Sequence, residues 1–154
     1  TETDGGAGME VLNDLRPSDQ ARLALAEPGP DGPIVMLNLL KFKDRAEYED
    51  GSDADLSGRG AYARYAAAVG AMVESLGGRV LFAGDVTLLT IGRVEDLWDE
   101  VLLLEYPNRG SLIEMSSSEE YRAISHHRRA GLDGQLNIET THTGGPTTIC
   151  DPPP

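Results

Sequence analysis

Basic residues are scarce in this chain. Thirteen Lys and Arg stand against 26 Asp and Glu, a formal charge of −13 at pH 7. Such a surface repels phosphate backbones and anionic headgroups, which argues against nucleic acid and membranes as partners. Cysteine is nearly absent: Cys150, beside the Pro-rich end, can form no internal disulfide, as expected of a protein in a reducing compartment. No apolar run approaches the ~20 residues of a membrane helix. The polar, glycine-rich Thr1 to Gly8 lacks signal-peptide character, so the expectation is a cytoplasmic protein. Aromatics are few, with two Phe and one Trp, and a large planar cofactor would find few aromatic walls. Phosphate-binding glycine loops, zinc-ligand spacings and nucleophile elbows are all missing. His126 and His127 are adjacent, and helical neighbours diverge by about 100°, so the pair cannot chelate one metal. Neither metal nor cofactor is expected.

What is present suits one domain: 154 residues, 40% hydrophobic and 25% charged, enough for a real core. The sequence divides into an N-terminal extension with a short helix (1–32), a folded domain (33–141) and a flexible tail (142–154). In the extension, Ser18 or Asp19 can cap a helix from Asp19 to Glu27 that Pro28-Gly29-Pro30 stops. It reads as an appendage to the core.

The domain opens with Ile34 to Phe42, IVMLNLLKF, apolar without alternation and therefore a central strand covered on both faces. Asn38 interrupts it, either as a satisfied core amide or as a ligand contact. Residues 43–57 form a long acidic connection, a lid or a solvated loop. Ser57 can cap a helix from Gly58 to Leu76 that Gly77 ends. Tyr62 and Tyr65 stand one turn apart on its apolar face, as a core stripe or as phenols lining a pocket. Arg79 to Ile91 reads as a long strand bent at Gly84-Asp85, and Trp98 to Tyr106 returns antiparallel. A hairpin centred near Val94 and Glu95 sets Asp85 opposite Leu104 or Glu105. Facing carboxylates repel unless a cation intervenes, and Arg128 is the expected cation.

After Pro107, Arg109 to Met115 starts a helix that Ser116-Ser117-Ser118 interrupts. Ser118 caps a second helix with acids in its first turn and His126 to Arg129 at its end. On its wheel, Tyr121 and Arg128 point inward, His127 lies on the flank and His126 faces out. An arginine on an inward face needs a partner. The final strand, Gln135 to Thr141, alternates like an edge strand with one wet face.

Strand, helix, strand, strand, helix, strand with right-handed crossovers makes an α+β, ferredoxin-like fold: a four-stranded antiparallel sheet with two helices on one face. The second apolar face calls for a second copy of the chain, two sheets pairing into a dimeric α/β barrel. Tyr62-x-x-Tyr65, then Gly77-Gly78-Arg79-Val80-Leu81-Phe82-Ala83-Gly84, Glu105-Tyr106-Pro107, and Glu120-Tyr121-Arg122 with His127-Arg128 resemble the family known only as domain of unknown function 1330, over roughly Ile34 to Thr141. The resemblance implies the dimeric α/β-barrel superfamily. That superfamily includes cofactor-free monooxygenases, polyketide cyclases, muconolactone isomerases and haem proteins, with pockets between sheet and helices. A lone haem ligand at His127 is the one role that the haem-binding cousins leave open.

The remaining chemistry is acid–base and electrostatic: an isomerase, cyclase or lyase acting without a cofactor on a small organic substrate. In this reading Arg128 holds an anionic or enolate oxygen and Asp85 or His127 moves a proton, while Asn38, Tyr62, Tyr65, Glu105 and Tyr121 bind substrate. A cofactor-independent monooxygenase, a non-catalytic small-molecule binder and a purely structural dimer are the alternatives. Against these stand plainer roles, with Arg128 bridging its helix to a carboxylate on the sheet and His127 serving as a helix-end charge.

Overall fold

The computed structural model describes residues 10–143. Its elements are α1 (Asp19–Leu25), β1 (Ile34–Phe42), α2 (Gly58–Ser75), β2 (Arg79–Asp85), β3 (Glu100–Tyr106), α3 (Arg109–Ser116), α4 (Glu119–Gly131) and β4 (Leu132–Thr140). The strands form one antiparallel sheet in the order β2-β3-β1-β4, the ferredoxin-like arrangement. The caps are those the sequence signals: the Ser18, Ser57 and Ser118 side chains accept from the amides of Ala21, Gly60 and Tyr121.

Period-two geometry sorts the strand residues. Ile34, Met36, Leu40, Phe42, Leu102, Leu104, Tyr106 and Leu132 face the helices and join Tyr62, Tyr65, Val69, Val73 and Met115 in one core. The opposite face is less covered than expected of a strand buried on both sides. Leu37, Leu39, Leu103 and Leu136 are half-buried there, and Phe82 and Ile138 are exposed at 54% and 44%.

Two glycine pairs fix the packing. Gly77 takes φ +85° to end α2, and Gly78 passes so close to the Glu105 carbonyl that no β-carbon fits. Where α2 meets α4, Gly58 and Gly131 lie backbone against backbone; a β-carbon on Gly58 would stand 2.7 Å from the Gly131 carbonyl oxygen.

Several boundaries differ from expectation. β2 ends at Asp85, and residues 86–91 leave the sheet with Leu88 and Ile91 exposed at 73% and 90%. A register shift between Val80 and Phe82 helps place Asp85 opposite Glu100, not Leu104 or Glu105. Glu105 pairs with Arg79 in that register and lies on the face away from the helices. α4 runs into β4 with no intervening loop, so β4 begins at Leu132. On β4 the polar residues Gln135, Asn137 and Glu139 lie on the helix side, lining the space there, while Leu136 and Ile138 take the other face. The alternation is real, but neither side is wholly dry: Asn137 on the helix side and Ile138 on the other are both exposed.

The 43–57 connection is ordered. Ala46 and Glu47 amides bond to Leu56 and Ala130 carbonyls, and Ala46 packs with Ala61 and Ala130. The N-terminal segment is also more than an appendage. Asp14 exchanges backbone hydrogen bonds with Gln135 (3.1 and 2.9 Å), and the Trp98 indole N–H donates to Asn13 Oδ1 at 2.8 Å. Thr1 to Gly8, Cys150 and most of the expected tail lie outside the described residues.

Candidate functional site

Between the sheet, α2, α3, α4 and the 14–25 segment lies a cavity of about 850 Å³, at the large end of the ~300–1,000 Å³ usual for ligand sites. Its apolar wall includes Leu15, Met36, Val69, Leu102, Leu104 and Met115. Its polar lining includes Asp14 and Arg16 of the N-terminal segment and Arg109 and Ser116 of α3. α2 supplies Tyr62 and Tyr65, α4 supplies Tyr121 and Arg128, and the sheet supplies Asn38, Gln135 and Glu100.

Arg128 is the inward cation the helical wheel called for, but its partner is not a carboxylate. Its Nε and Nη2 donate to Gln135 Oε1 at 3.2 and 2.7 Å. Gln135 Nε2 donates to Asn38 Oδ1 at 3.2 Å, and Asn38 Nδ2 donates to the Met36 and Leu102 carbonyls, each at 3.3 Å. The relay is neutral throughout. Arg128 forms no ion pair among the described residues, so a half-buried charge on a mostly apolar cavity keeps free N–H groups.

The phenols divide by partner. Tyr65 and Tyr121 share a hydroxyl–hydroxyl bond of 2.9 Å. Tyr62 and Tyr106, 5% and 2% exposed, line the cavity with hydroxyls that find no hydrogen-bond partner among the described residues. Burial pushes the Tyr62, Tyr65 and Tyr106 hydroxyls well above the ordinary phenol range; the Arg128 charge pulls back on Tyr62. They stay protonated at neutral pH and act as donors, not bases.

The two expected proton carriers stand elsewhere. Asp85 is 71% exposed and paired with Arg59 at 2.9 Å, and Arg59 also holds Glu100 at 2.9 Å. Arg59, not Arg128, is therefore the cation between the facing carboxylates. His127 Nδ1 meets the Tyr48 hydroxyl at 2.7 Å, on the side of the 43–57 loop. Burial, then His126 and Arg64, lower its pKa from 6.5. Neither residue lines the cavity, and neither does Glu105, which meets Arg79 at 3.3 Å and His142 at 3.5 Å. Asn38, Tyr62, Tyr65, Tyr121 and Arg128 do come together there.

Residues not singled out from sequence complete the site. Glu100 is the cavity carboxylate whose pKa burial raises, Arg59 lowering it and Asp85 raising it further. Arg109 grips Glu139 through two bonds of 2.8 and 2.7 Å and donates to the Ala24 and Glu27 carbonyls at the end of α1. The polar period-two set Gln135, Asn137, Glu139 was the available signal for the β4 wall. The contribution of the N-terminal segment had no local signal, because it depends on where the segment docks. Among the described residues no group of three or more His, Cys, Asp or Glu is placed to hold a metal ion, and no helix is long and apolar enough to cross a membrane.

A ferredoxin-like sheet roofed by two long helices over a cavity defines the class of protein. Within that class the chain belongs to the family described as domain of unknown function (DUF1330), whose sequence pattern matches residues 52–140. The chain is similar to the methylated RPA0582 protein, 32% identical, with 86% of this chain and 98% of that one covered at a TM-score of 0.78. A second structure of RPA0582, a protein of unknown function from Rhodopseudomonas palustris, is 31% identical over 85% and 98% of the two chains at a TM-score of 0.75. A dimeric protein of unknown function with a ferredoxin-like fold from Bacteroides fragilis NCTC 9343 is 11% identical over 71% and 96%, at a TM-score of 0.45. No curated protein matches the chain.

Proposed function

We propose that this protein binds a small organic molecule in the sheet–helix cavity and presents one of its oxygens to Arg128. The observation that carries this reading is a guanidinium on an apolar cavity wall whose only hydrogen-bond partner among the described residues is a neutral amide. A charge so placed is worth more to an incoming anion than one already paired, because the ligand supplies the missing counter-charge. Tyr62 offers an unused O–H nearby, and the Tyr65–Tyr121 pair keeps one further proton to donate.

An enzymatic version of the same reading replaces Asp85 and His127 as proton carriers by Glu100. Glu100 shares the cavity with Arg128, and its raised pKa brings it nearer to neutral conditions. In an enolisation, the Glu100 carboxylate takes a proton from carbon, the C–H electron pair becomes the C=C bond, and the carbonyl oxygen becomes the enolate that Arg128 stabilises. With a β,γ-unsaturated ketone the product is a dienolate, and return of the same proton from Glu100 to the γ carbon completes an isomerisation.

The sheet face away from the helices, with Phe82, Ile138 and the nearby Leu88 and Ile91 open to solvent, is assigned to a second copy of the chain. Light scattering on an eluting peak distinguishes one chain from two.

A thermal-shift panel of aromatic and aliphatic carboxylates with their amides tests the binding reading. Carboxylates raise the melting temperature of the wild type and not of Arg128→Met. Equal shifts in both proteins, or none in either, refute it. Deuterium exchange into enolisable ketones, lost in Glu100→Gln, tests the enzymatic version.

A further inference from the structure

The cavity wall that the N-terminal segment supplies says more about the ligand. Leu15, Pro17, Ala21, Ala24 and Leu25 line the same cavity as Arg128, yet α1 has no buried residue. Ala21, Ala24 and Leu25 fall at i, i+3 and i+4, one helix side, and that side borders empty space. A seven-residue helix has little stability of its own. It is held by polar tethers: Arg109 on the Ala24 and Glu27 carbonyls at 3.1 and 3.2 Å, the Asp14–Gln135 bridge, and Asn13 on Trp98. These place the helix without filling the room beneath it.

At the other polar point, Arg128 offers one uncompensated positive charge. Gln135 occupies Nε and one Nη2 donor, so Nη1 remains for an acceptor. Tyr62, 5% exposed and with an unpartnered hydroxyl, senses the Arg128 charge and adds a second donor. A single positive charge among neutral donors matches a carboxylate better than a phosphate dianion, which would leave negative charge unmet in apolar surroundings. Of the other two cations on the lining, Arg109 is already neutralised by Glu139, and Arg16 is exposed to solvent, where water and salt screen its charge.

We infer that the cavity takes a single-chain monocarboxylate, its head on Arg128 and Tyr62 and its apolar tail beneath α1. The inference rests on the cavity being a small-molecule site and adds the class of ligand. α1 then sets the length of tail accepted, and its apolar side becomes buried when the tail is in place.

The test is isothermal titration of decanoate, decan-1-ol and butanoate into wild type, Arg128→Met, Tyr62→Phe and Ala24→Trp. Ala24 is exposed on a helix outside the core, so a tryptophan there intrudes on the cavity without crowding packed residues. The expectation is one decanoate per chain, bound on the order of tenfold or more tighter than decan-1-ol. Arg128→Met abolishes that preference, and Tyr62→Phe reduces it. Ala24→Trp weakens decanoate while leaving butanoate unchanged. Equal binding of decanoate and decan-1-ol overturns the head-group assignment, and indifference to Ala24→Trp overturns the tail assignment. If decanoate fails to bind while compact carboxylates stabilise the wild type through Arg128, the chain-like ligand is wrong and the cavity reading stands. If no carboxylate of any shape binds, both fall.

Discussion

Replacing Gly131 by Ala tests the close approach that holds the roof of the cavity in place. A β-carbon there would stand 2.8 Å from the Tyr62 amide nitrogen and closer still to the Gly58 carbonyl oxygen. Both obstacles are backbone, so no rotamer change relieves them. The Gly131 carbonyl also accepts the Lys43 N–H at 2.8 Å, which limits how far the chain can withdraw. Overpacking of this kind costs about 1–3 kcal/mol. The opposing gain in helix propensity is at most about 1 kcal/mol in a helix interior and smaller at the last residue of α4. The net is a loss of about 1–2 kcal/mol, or about 2–8 °C in melting temperature for a chain of this size. Gly70→Ala supplies the control. Gly70 lies inside α2, and a β-carbon there meets nothing within 4 Å, so only the propensity gain remains, about 0.5–1 kcal/mol of added stability. Urea denaturation followed by circular dichroism measures both. Opposite signs are expected; a Gly131→Ala protein as stable as wild type, or a Gly70→Ala protein equally damaged, refutes the reasoning.

Three other outcomes follow from the same geometry. Tyr65→Phe leaves the half-buried Tyr121 hydroxyl without its 2.9 Å partner and costs about 1 kcal/mol, with a double-mutant cycle against Tyr121→Phe returning most of that as coupling. Glu100 has a folded pKa above its ordinary 4.5, so its protonated form favours the fold: its contribution is present below pH 4.5 and is lost as pH rises through the raised value. Glu100→Gln is therefore more stable than wild type at neutral pH, by a margin that shrinks toward pH 4 in paired urea titrations. His127 has a folded pKa below its ordinary 6.5, so its stabilising contribution is present above pH 6.5 and is lost as pH falls through the folded value. Tyr48→Phe removes the hydroxyl next to the neutral Nδ1 and raises that pKa in an NMR titration; an unchanged value would mean the contact does not favour the neutral ring.

Much of the fold was legible because each helix carried its own punctuation. Ser57 and Ser118 cap helices where their spacing said they would, and the largely apolar, non-alternating run of β1 marked a central strand. The β2–β3 register was not legible: the register shift between Val80 and Phe82 and the departure of residues 86–91 from the sheet both depend on tertiary context. A misjudged register separates Asp85 from Glu100 and assigns it the wrong cation. The inward direction of Arg128 followed from helical spacing, but its neutral partner did not, because Gln135 looked like one residue of a wet strand. Where the N-terminal segment docks is set by Arg109 and Trp98, each 85 residues from one of its contacts in the segment, and no local pattern encodes that.

The decisive observation is the NMR signal of the Arg128 side-chain Nε–H during addition of decanoate. A carboxylate seated on the guanidinium shifts this resonance in proportion to occupancy, while the Arg109 signal, already committed to Glu139, stays nearly still. A bound decanoate that leaves Arg128 unmoved would contradict the assignment of Arg128 as the group that holds the ligand.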